Sequence, residues 1–120
     1  MAKREKNYLE FVPSRNAAYR WAEKETGLVT VTVPHTGLYN RMAQKFFHTP
    51  PYSDIDLDEF GSFVWKQIDG ERSVYEIAAL VKAAFGDRAE PLYPRLVEFF
   101  KILKNNRFVS FAKDMKPIAT

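Results

Sequence analysis

Four carboxylates lie close together in the middle of the sequence: Asp54, Asp56, Asp58 and Glu59. Such a cluster can bind calcium or serve as a general acid–base pair. The alternation of a strand and the capping of a following helix account for all four, because either Asp56 or Asp58 can cap a helix that begins near Phe60. We therefore expect neither catalysis nor a metal site in this run.

The remaining residues offer little for catalysis. The two histidines, His35 and His48, are thirteen positions apart, and the sequence has no cysteine that could complete a metal site or form a disulfide. Asp69-Gly70 indicates a turn, because no glycine-rich phosphate-binding motif surrounds it. No nucleophile–base pair is visible. The sequence predicts a protein that is not an enzyme and holds no cofactor.

Length and composition favour one folded domain. The chain has 120 residues, of which 46% are hydrophobic and 15% aromatic. We expect residues 1–16 and 112–120 to be flexible or loosely packed. The net charge of +3 permits an acidic partner without requiring one. No apolar run could cross a bilayer and no secretory signal is present, so we expect a cytoplasmic protein with no membrane span.

A period-two pattern in the first third of the chain predicts a hairpin. Tyr19 and Trp21 flank Arg20, the segment 24–27 supplies turn residues, and the segment 28–33 alternates valine with threonine. Pro34 then ends the second strand, because it lacks the N–H that a ladder needs. We expect both Trp21 and Trp65 to lie in the core.

The next segment predicts an amphipathic helix and then a third strand. The helix covers residues 37–48, with Leu38, Met42 and Phe46 on one face, and Pro50-Pro51 ends it. The strand covers 53–57, with Ile55 and Leu57 directed inward and the aspartates outward.

Three helices follow in the second half of the chain. The first has Phe60, Val64 and Ile68 on its inner face and ends at Asp69-Gly70. Ser73 and Glu76 form a capping box that opens a second helix ending at Phe85. The third begins between residues 91 and 93, runs to about residue 104, and precedes a short extended piece at 108–111.

The run from Ile55 to Ile77, IDLDEFGSFVWKQIDGERSVYEI, resembles the PqqD family and the wider group of RiPP recognition elements. The match extends loosely from Trp21 to Phe111. The resemblance implies an α+β, winged-helix-like fold with a three-stranded antiparallel sheet and three helices, to which the 37–48 helix is an extra insertion. It also implies a non-catalytic module that captures the leader of a ribosomal precursor peptide. Such a module presents the peptide to a modifying enzyme, which in pyrroloquinoline quinone biosynthesis is a radical SAM protein.

The resemblance places the peptide on the edge of the third strand, beside the last helix. An edge strand has unpaired backbone groups that an extended peptide can satisfy. On the last helix, Leu92, Leu96, Phe99 and Leu103 form the predicted core stripe. An apolar flank ended by lysine lies beside it, unless that flank packs under the 37–48 helix. The predicted peptide-binding residues are Ser53, Asp54, Ile55, Asp56, Leu57, Tyr93, Val97, Phe100, Lys101 and Lys104.

Charge on and just after the last helix favours an acidic leader, since Arg95, Lys101 and Arg107 are basic. The alternative function is a winged-helix DNA-binding regulator whose recognition helix is 74–85. That helix offers only Lys82 as a strong contact, so nucleic acid is not the expected partner. A structural subunit of a larger assembly is a further alternative. We expect a monomer or a weak dimer.

Overall fold

The computed structural model describes residues 7–34 and 52–118. The elements in chain order are β1 (Pro13–Arg15), β2 (Arg20–Glu23), β3 (Val29–Pro34), β4 (Tyr52–Asp56), α1 (Glu59–Gln67), α2 (Val74–Phe85), α3 (Leu92–Asn105) and β5 (Val109–Phe111). Contacts divide the chain into a sheet unit, Ala17–Ser62, and a helical unit, Met1–Asn16 with Phe63–Thr120. Within these described ranges, the predicted α+β class with three helices and a three-stranded antiparallel sheet is confirmed.

Two parts of the predicted fold are still predictions. The amphipathic helix at 37–48 lies outside the described residues, as do both histidines. The winged-helix arrangement of sheet and helices stays a prediction.

The sheet unit contains the predicted hairpin and third strand in the order β2-β3-β4. The turn closes where the Lys24 N–H donates to the Leu28 carbonyl at 2.8 Å, and Gly27 takes the positive φ of 87° that this turn requires. Val29 and Val31 are fully buried, and Thr30 and Thr32, which alternate with them, are half-buried, as the alternation predicts. Trp21 is 38% exposed, so its predicted core position is wrong; it lies on β2, at one edge of the sheet.

The sequence predicts that either Asp56 or Asp58 caps helix α1. The Asp58 carboxylate accepts the Gly61 N–H at 2.7 Å, so Asp58 and not Asp56 caps the helix. Val64, Trp65 and Ile68 are fully buried, which confirms the core positions predicted for them.

The Asp69-Gly70 step turns the chain between α1 and α2. The Asp69 Oδ1 accepts the N–H groups of Arg72 at 2.8 Å and Glu71 at 2.9 Å. These hydrogen bonds, that from Arg72 first, lower the pKa of Asp69 below its ordinary value. Gly70 has a φ of 81°, which a residue with a side chain adopts only with strain. The Ile-Asp-Gly motif is therefore a turn, as predicted.

Helix α2 has the predicted capping box. The Ser73 hydroxyl accepts the Glu76 N–H at 3.1 Å, and the Glu76 carboxylate accepts the Ser73 N–H at 2.9 Å. Val74, Ile77 and Val81 are fully buried. The helix ends at Phe85, as predicted, and Gly86 is its C-cap.

Helix α3 begins at Leu92, after the cis bond between Glu90 and Pro91, so Pro94 occupies its first turn as expected. Its buried residues are Leu92, Leu96, Phe100 and Leu103. The predicted core stripe contained Phe99 in place of Phe100, and that prediction is wrong: Phe100 is fully buried and Phe99 half-buried.

Residues 7–16, in the segment expected to be flexible or loosely packed, form hydrogen bonds with distant parts of the helical unit. β1 pairs antiparallel with β5, from Pro13 opposite Phe111 to Arg15 opposite Val109. The Phe11 carbonyl accepts the Val74 N–H at 2.8 Å, and Val12 is buried. Backbone hydrogen bonds to distant residues therefore hold this segment in the helical unit.

The tail after β5 is also attached within its described part, up to residue 118. The Lys116 N–H donates to the Glu10 carbonyl, and the Lys116 Nζ lies 2.8 Å from the Glu76 Oε1. This hydrogen bond to Lys116 is the first cause that lowers the pKa of Glu76, followed by the Ser73 backbone.

This contact predicts a pH dependence of stability. A carboxylate whose folded pKa is depressed contributes stability above its unfolded pKa of about 4.3 and loses it as pH falls through the folded pKa. In Glu76→Gln, which keeps a side chain able to form the capping box, we expect a loss below about 1 kcal/mol at pH 7 that shrinks as pH falls below about 4. Urea unfolding of both proteins across this pH range measures the difference. A constant difference at every pH would contradict the assignment, and Lys116→Gln should reproduce part of the effect at pH 7.

Candidate functional site

The outer edge of β4 is the candidate site, and its geometry follows from the strand register. Val31 lies opposite Ile55, and Val33 lies opposite Ser53. The Leu57 N–H donates to the Val29 carbonyl at 2.8 Å. This hydrogen bond determines the residues whose backbone groups point toward β3. Because such pairs alternate along an antiparallel ladder, Ser53, Ile55 and Leu57 bond toward β3.

The other three residues of β4 direct their backbone N–H and C=O groups away from the sheet. They are Tyr52, Asp54 and Asp56. All three are exposed, and Tyr52 is 52% exposed. In the part of the sheet that the structure describes, no strand lies beyond β4. This edge can therefore pair with an added strand.

The two faces of β4 differ in chemistry. On the threonine face, the Thr30 hydroxyl donates to Asp56 at 2.7 Å and the Thr32 hydroxyl donates to Asp54 at 2.9 Å. The valine face carries Ile55, which was expected to point inward; it does share the face of Val31, yet it is 40% exposed because it belongs to the edge strand. The edge thus offers carboxylates on one side and an apolar side chain on the other.

The electrostatics of this edge keep Asp56 ionised. The hydrogen bond from Thr30, followed by the hydrogen bond and the positive charge of Lys24, lowers the pKa of Asp56 below its ordinary value. The Lys24 Nζ lies 3.1 Å from the Asp56 Oδ1, and both side chains are about half exposed or more. Solvent screens an ion pair of this kind, so it orients the carboxylate more than it stabilises the fold.

Ser62, in the first turn of α1, forms hydrogen bonds at the end of the ladder between β3 and β4. Its hydroxyl accepts the Val29 N–H at 2.8 Å and donates to the Leu57 carbonyl at 3.2 Å, and the residue is 1% exposed. This hydroxyl therefore satisfies two backbone groups at the point where the edge strand ends.

Asp54, Asp56 and Asp58 of the acidic run have the structural roles predicted for them. Asp54 and Asp56 accept hydrogen bonds from the threonines of β3, and Asp58 caps α1. Among residues 7–34 and 52–118, no group of three or more His, Cys, Asp or Glu side chains could hold a metal ion. Within the same ranges, no helix is long and apolar enough to span a membrane.

The predicted site residues of α3 lie in the helical unit, whereas β4 lies in the sheet unit. Tyr93 is 44% exposed, Val97 is half-buried and Phe100 is fully buried. The two lysines are exposed, and each Nζ lies over an aromatic ring: Lys101 at 5.6 Å from the Tyr8 ring centroid and Lys104 at 6.0 Å from that of Phe111. A groove formed by β4 and α3 together stays a prediction.

Sequence reasoning missed a concave pocket in the helical unit, between α2 and the start of α3. Its volume is about 450 Å³. The rings of Tyr75 and Tyr93 lie at its wall with their centroids 6.3 Å apart, and Lys82 pairs with Glu90 at its rim at 2.6 Å. The two prolines and the tyrosine at positions 91–94 could have indicated one wall of this pocket. The other wall includes Tyr75, which is eighteen residues away from Tyr93 in the sequence, so the sequence did not show that the two tyrosines lie close together.

These features define a small α+β protein with an open edge strand and no metal-binding cluster among its described residues. Residues 51–109 match the family described as coenzyme PQQ synthesis protein D (PqqD), so this stretch of the chain is similar to PqqD proteins. The matched stretch includes β4 and all three helices. PqqD proteins are non-catalytic accessory proteins, and this match supports a peptide-binding accessory role in general. No curated protein and no solved structure gives a significant match.

Proposed function

We propose that this protein captures a ribosomal precursor peptide by strand addition at the outer edge of β4 and presents it to a modifying enzyme such as a radical SAM protein. The observation that carries the proposal is the outward direction of the backbone groups of Tyr52, Asp54 and Asp56. The match of residues 51–109 to the PqqD family supports the same accessory role.

The expected affinity follows from the number of hydrogen bonds. Three outward-facing residues with two backbone groups each can form up to about six hydrogen bonds with an antiparallel peptide. Each contributes a net ~0.5–1.5 kcal/mol, and ordering the peptide offsets several kcal/mol of the sum. We therefore expect the backbone hydrogen bonds alone to give dissociation constants in roughly the millimolar range or weaker, so side-chain contacts must supply the remaining affinity and decide between peptides.

The alternative of a DNA-binding regulator receives no support from α2. Lys82 is the cation on which that hypothesis depends, and its Nζ lies 2.6 Å from Glu90 and 3.9 Å from Asp87. The hydrogen bond to Glu90 is the main cause that raises the pKa of Lys82. A phosphate would have to compete with both carboxylates for this side chain.

Proline substitution tests the strand-addition proposal. In Asp54→Pro the outward N–H is lost while the inward bonds of β4 are kept, and proline is tolerated at an edge position of this kind. Its matched control is Asp54→Asn, which removes the same charge but keeps the N–H. We expect Asp54→Pro to bind about tenfold more weakly than Asp54→Asn, because one hydrogen bond and its neighbours are lost.

The measurement starts from 12-residue peptides selected for binding from a random displayed library. Titration into ¹⁵N-labelled protein should shift the amides of residues 52–57, and hydrogen exchange of the Asp54 and Asp56 amides should slow in the complex. The exchange measurement uses the unmodified protein, so it holds even if Asp54→Pro fails to fold. Equal binding by both variants, or shifts confined to other residues, would overturn the proposal.

A further inference from the structure

We infer that the peptide strand that adds to β4 carries basic side chains at two alternating positions, beside Asp54 and Asp56, and an apolar side chain between them, beside Ile55. This inference rests on the proposed function and names the class of peptide that the edge selects.

The register determines which peptide side chains meet the aspartates. Because the backbone groups of Asp54 and Asp56 face outward, each would form a hydrogen-bonded pair with a residue of the added strand. Opposite residues direct their side chains to the same face of a sheet, with Cα atoms about 5.5 Å apart in such pairs. The two peptide positions are two residues apart, about 7 Å along the strand, and both lie on the threonine face.

The charges on that face favour a cation at both positions. Asp54 and Asp56 each bind a threonine hydroxyl through Oδ1, which holds the carboxylates in place. The basic groups of the same face come from β2 and its turn: Lys24 contacts Asp56 at 3.1 Å, and Arg20 lies opposite Thr32. Arg20 is therefore two strands from Asp54, about 10 Å in sheet spacing. Asp54 should thus select a basic residue more strongly than Asp56 does.

The other face selects an apolar residue at the intervening position. Ile55 is 40% exposed, and its neighbour across the ladder, Val31, is fully buried. A peptide residue opposite Ile55 forms the closer, non-hydrogen-bonded kind of pair, with Cα atoms about 4.5 Å apart. An aliphatic side chain there would cover the exposed part of Ile55.

This preference is opposite to the acidic leader expected from the sequence. That expectation came from basic residues on and after the last helix, but Lys101 lies over the Tyr8 ring in the helical unit. The acidic groups lie on the open edge itself. Since opposite charges directly across a strand pair attract and like charges repel, the edge disfavours glutamate at the same positions.

Matched peptides test the inference. A peptide already shown to bind at residues 52–57 is synthesised with Lys-Val-Lys or Glu-Val-Glu at the central positions, and both are titrated by calorimetry and by amide shifts. We expect the lysine peptide to bind about tenfold more tightly at low salt, with the ratio falling as salt increases. In Asp54→Lys, an exposed substitution, the preference should disappear or invert, whereas in Asp54→Asn it should only weaken.

The outcomes separate this inference from the proposed function. If both peptides shift residues 52–57 with equal affinity, or if the glutamate peptide binds more tightly, the charge preference is wrong and strand addition stands. If none of the library-selected peptides shifts residues 52–57, strand addition itself is wrong. A preference that Asp54→Lys leaves unchanged would also overturn the inference, because the charge would then come from elsewhere.

Discussion

Replacing Phe100 by alanine is expected to lower the free energy of unfolding by about 3–5 kcal/mol, which is typical when a buried phenylalanine is truncated. Phe100 is fully buried in α3. Alanine is a good helix former, so the loss would report packing and not helix propensity. Such a loss is a large part of the ~5–15 kcal/mol that a small domain has. Phe100→Leu, which removes less volume, provides a milder variant if the alanine protein does not fold.

The neighbouring residue provides a matched control. Phe99 is half-buried and its ring lies 6.2 Å from that of Phe100. Phe99→Ala should cost roughly 1–2 kcal/mol, because only part of its side chain is removed from water on folding. Urea unfolding with an unchanged dependence on denaturant measures both costs. A greater cost at Phe99 than at Phe100 would show that the sequence-based stripe was right and the observed one wrong.

This pair shows why helical periodicity did not identify the core of α3. At 100° per residue, Phe99 lies 20° from Leu92 and Phe100 lies 80° from it, so the narrowest stripe selects Phe99. A helix buries a face of 100° or more, and the elements packed against it decide where that face is centred. The amphipathic pattern therefore predicts the helix, whereas the centre of its buried face depends on tertiary packing.

Sequence motifs predicted the structure correctly where the interacting residues are only a few positions apart. The capping box of Ser73 and Glu76, the turn at Asp69-Gly70 and the hairpin turn at Gly27 each join residues within five positions of one another. Pairing of β1 with β5 joins residues 13–15 to residues 109–111. Two strands of three residues have too little periodicity to indicate their partner, so this second sheet could not be predicted.

The candidate site was predictable as a strand but not in its chemistry. Alternation and the family resemblance placed a strand at 53–57 and aspartates on its polar face. The direction of each backbone group depends on the pairing register, and a shift of one residue would exchange the inward and outward groups. The observed hydrogen bond from Leu57 to Val29 fixes that register. Only then do Asp54 and Asp56 become the residues that face an added strand.

Removing the hydroxyl of Ser62 is the second change for which we expect a large effect. In Ser62→Ala, the buried Val29 N–H loses its acceptor and the Leu57 carbonyl loses one donor. An unsatisfied buried backbone group costs about 1–3 kcal/mol, so we expect a loss of about 2–3 kcal/mol. Alanine suits a helix better than serine, which offsets a few tenths of a kcal/mol of that loss.

Hydrogen exchange tests the origin of this loss. The Val29 amide should lose protection in Ser62→Ala, while the amide of Val31, which lies further along β3, should keep more of it. Ser110→Ala, at an exposed position in β5, is the matched control and should change stability by less than about 0.5 kcal/mol. Because Ser62 anchors the end at which β4 stops, peptide affinity at residues 52–57 should also fall. Unchanged protection of Val29 would show that the hydroxyl does not hold this end of the sheet.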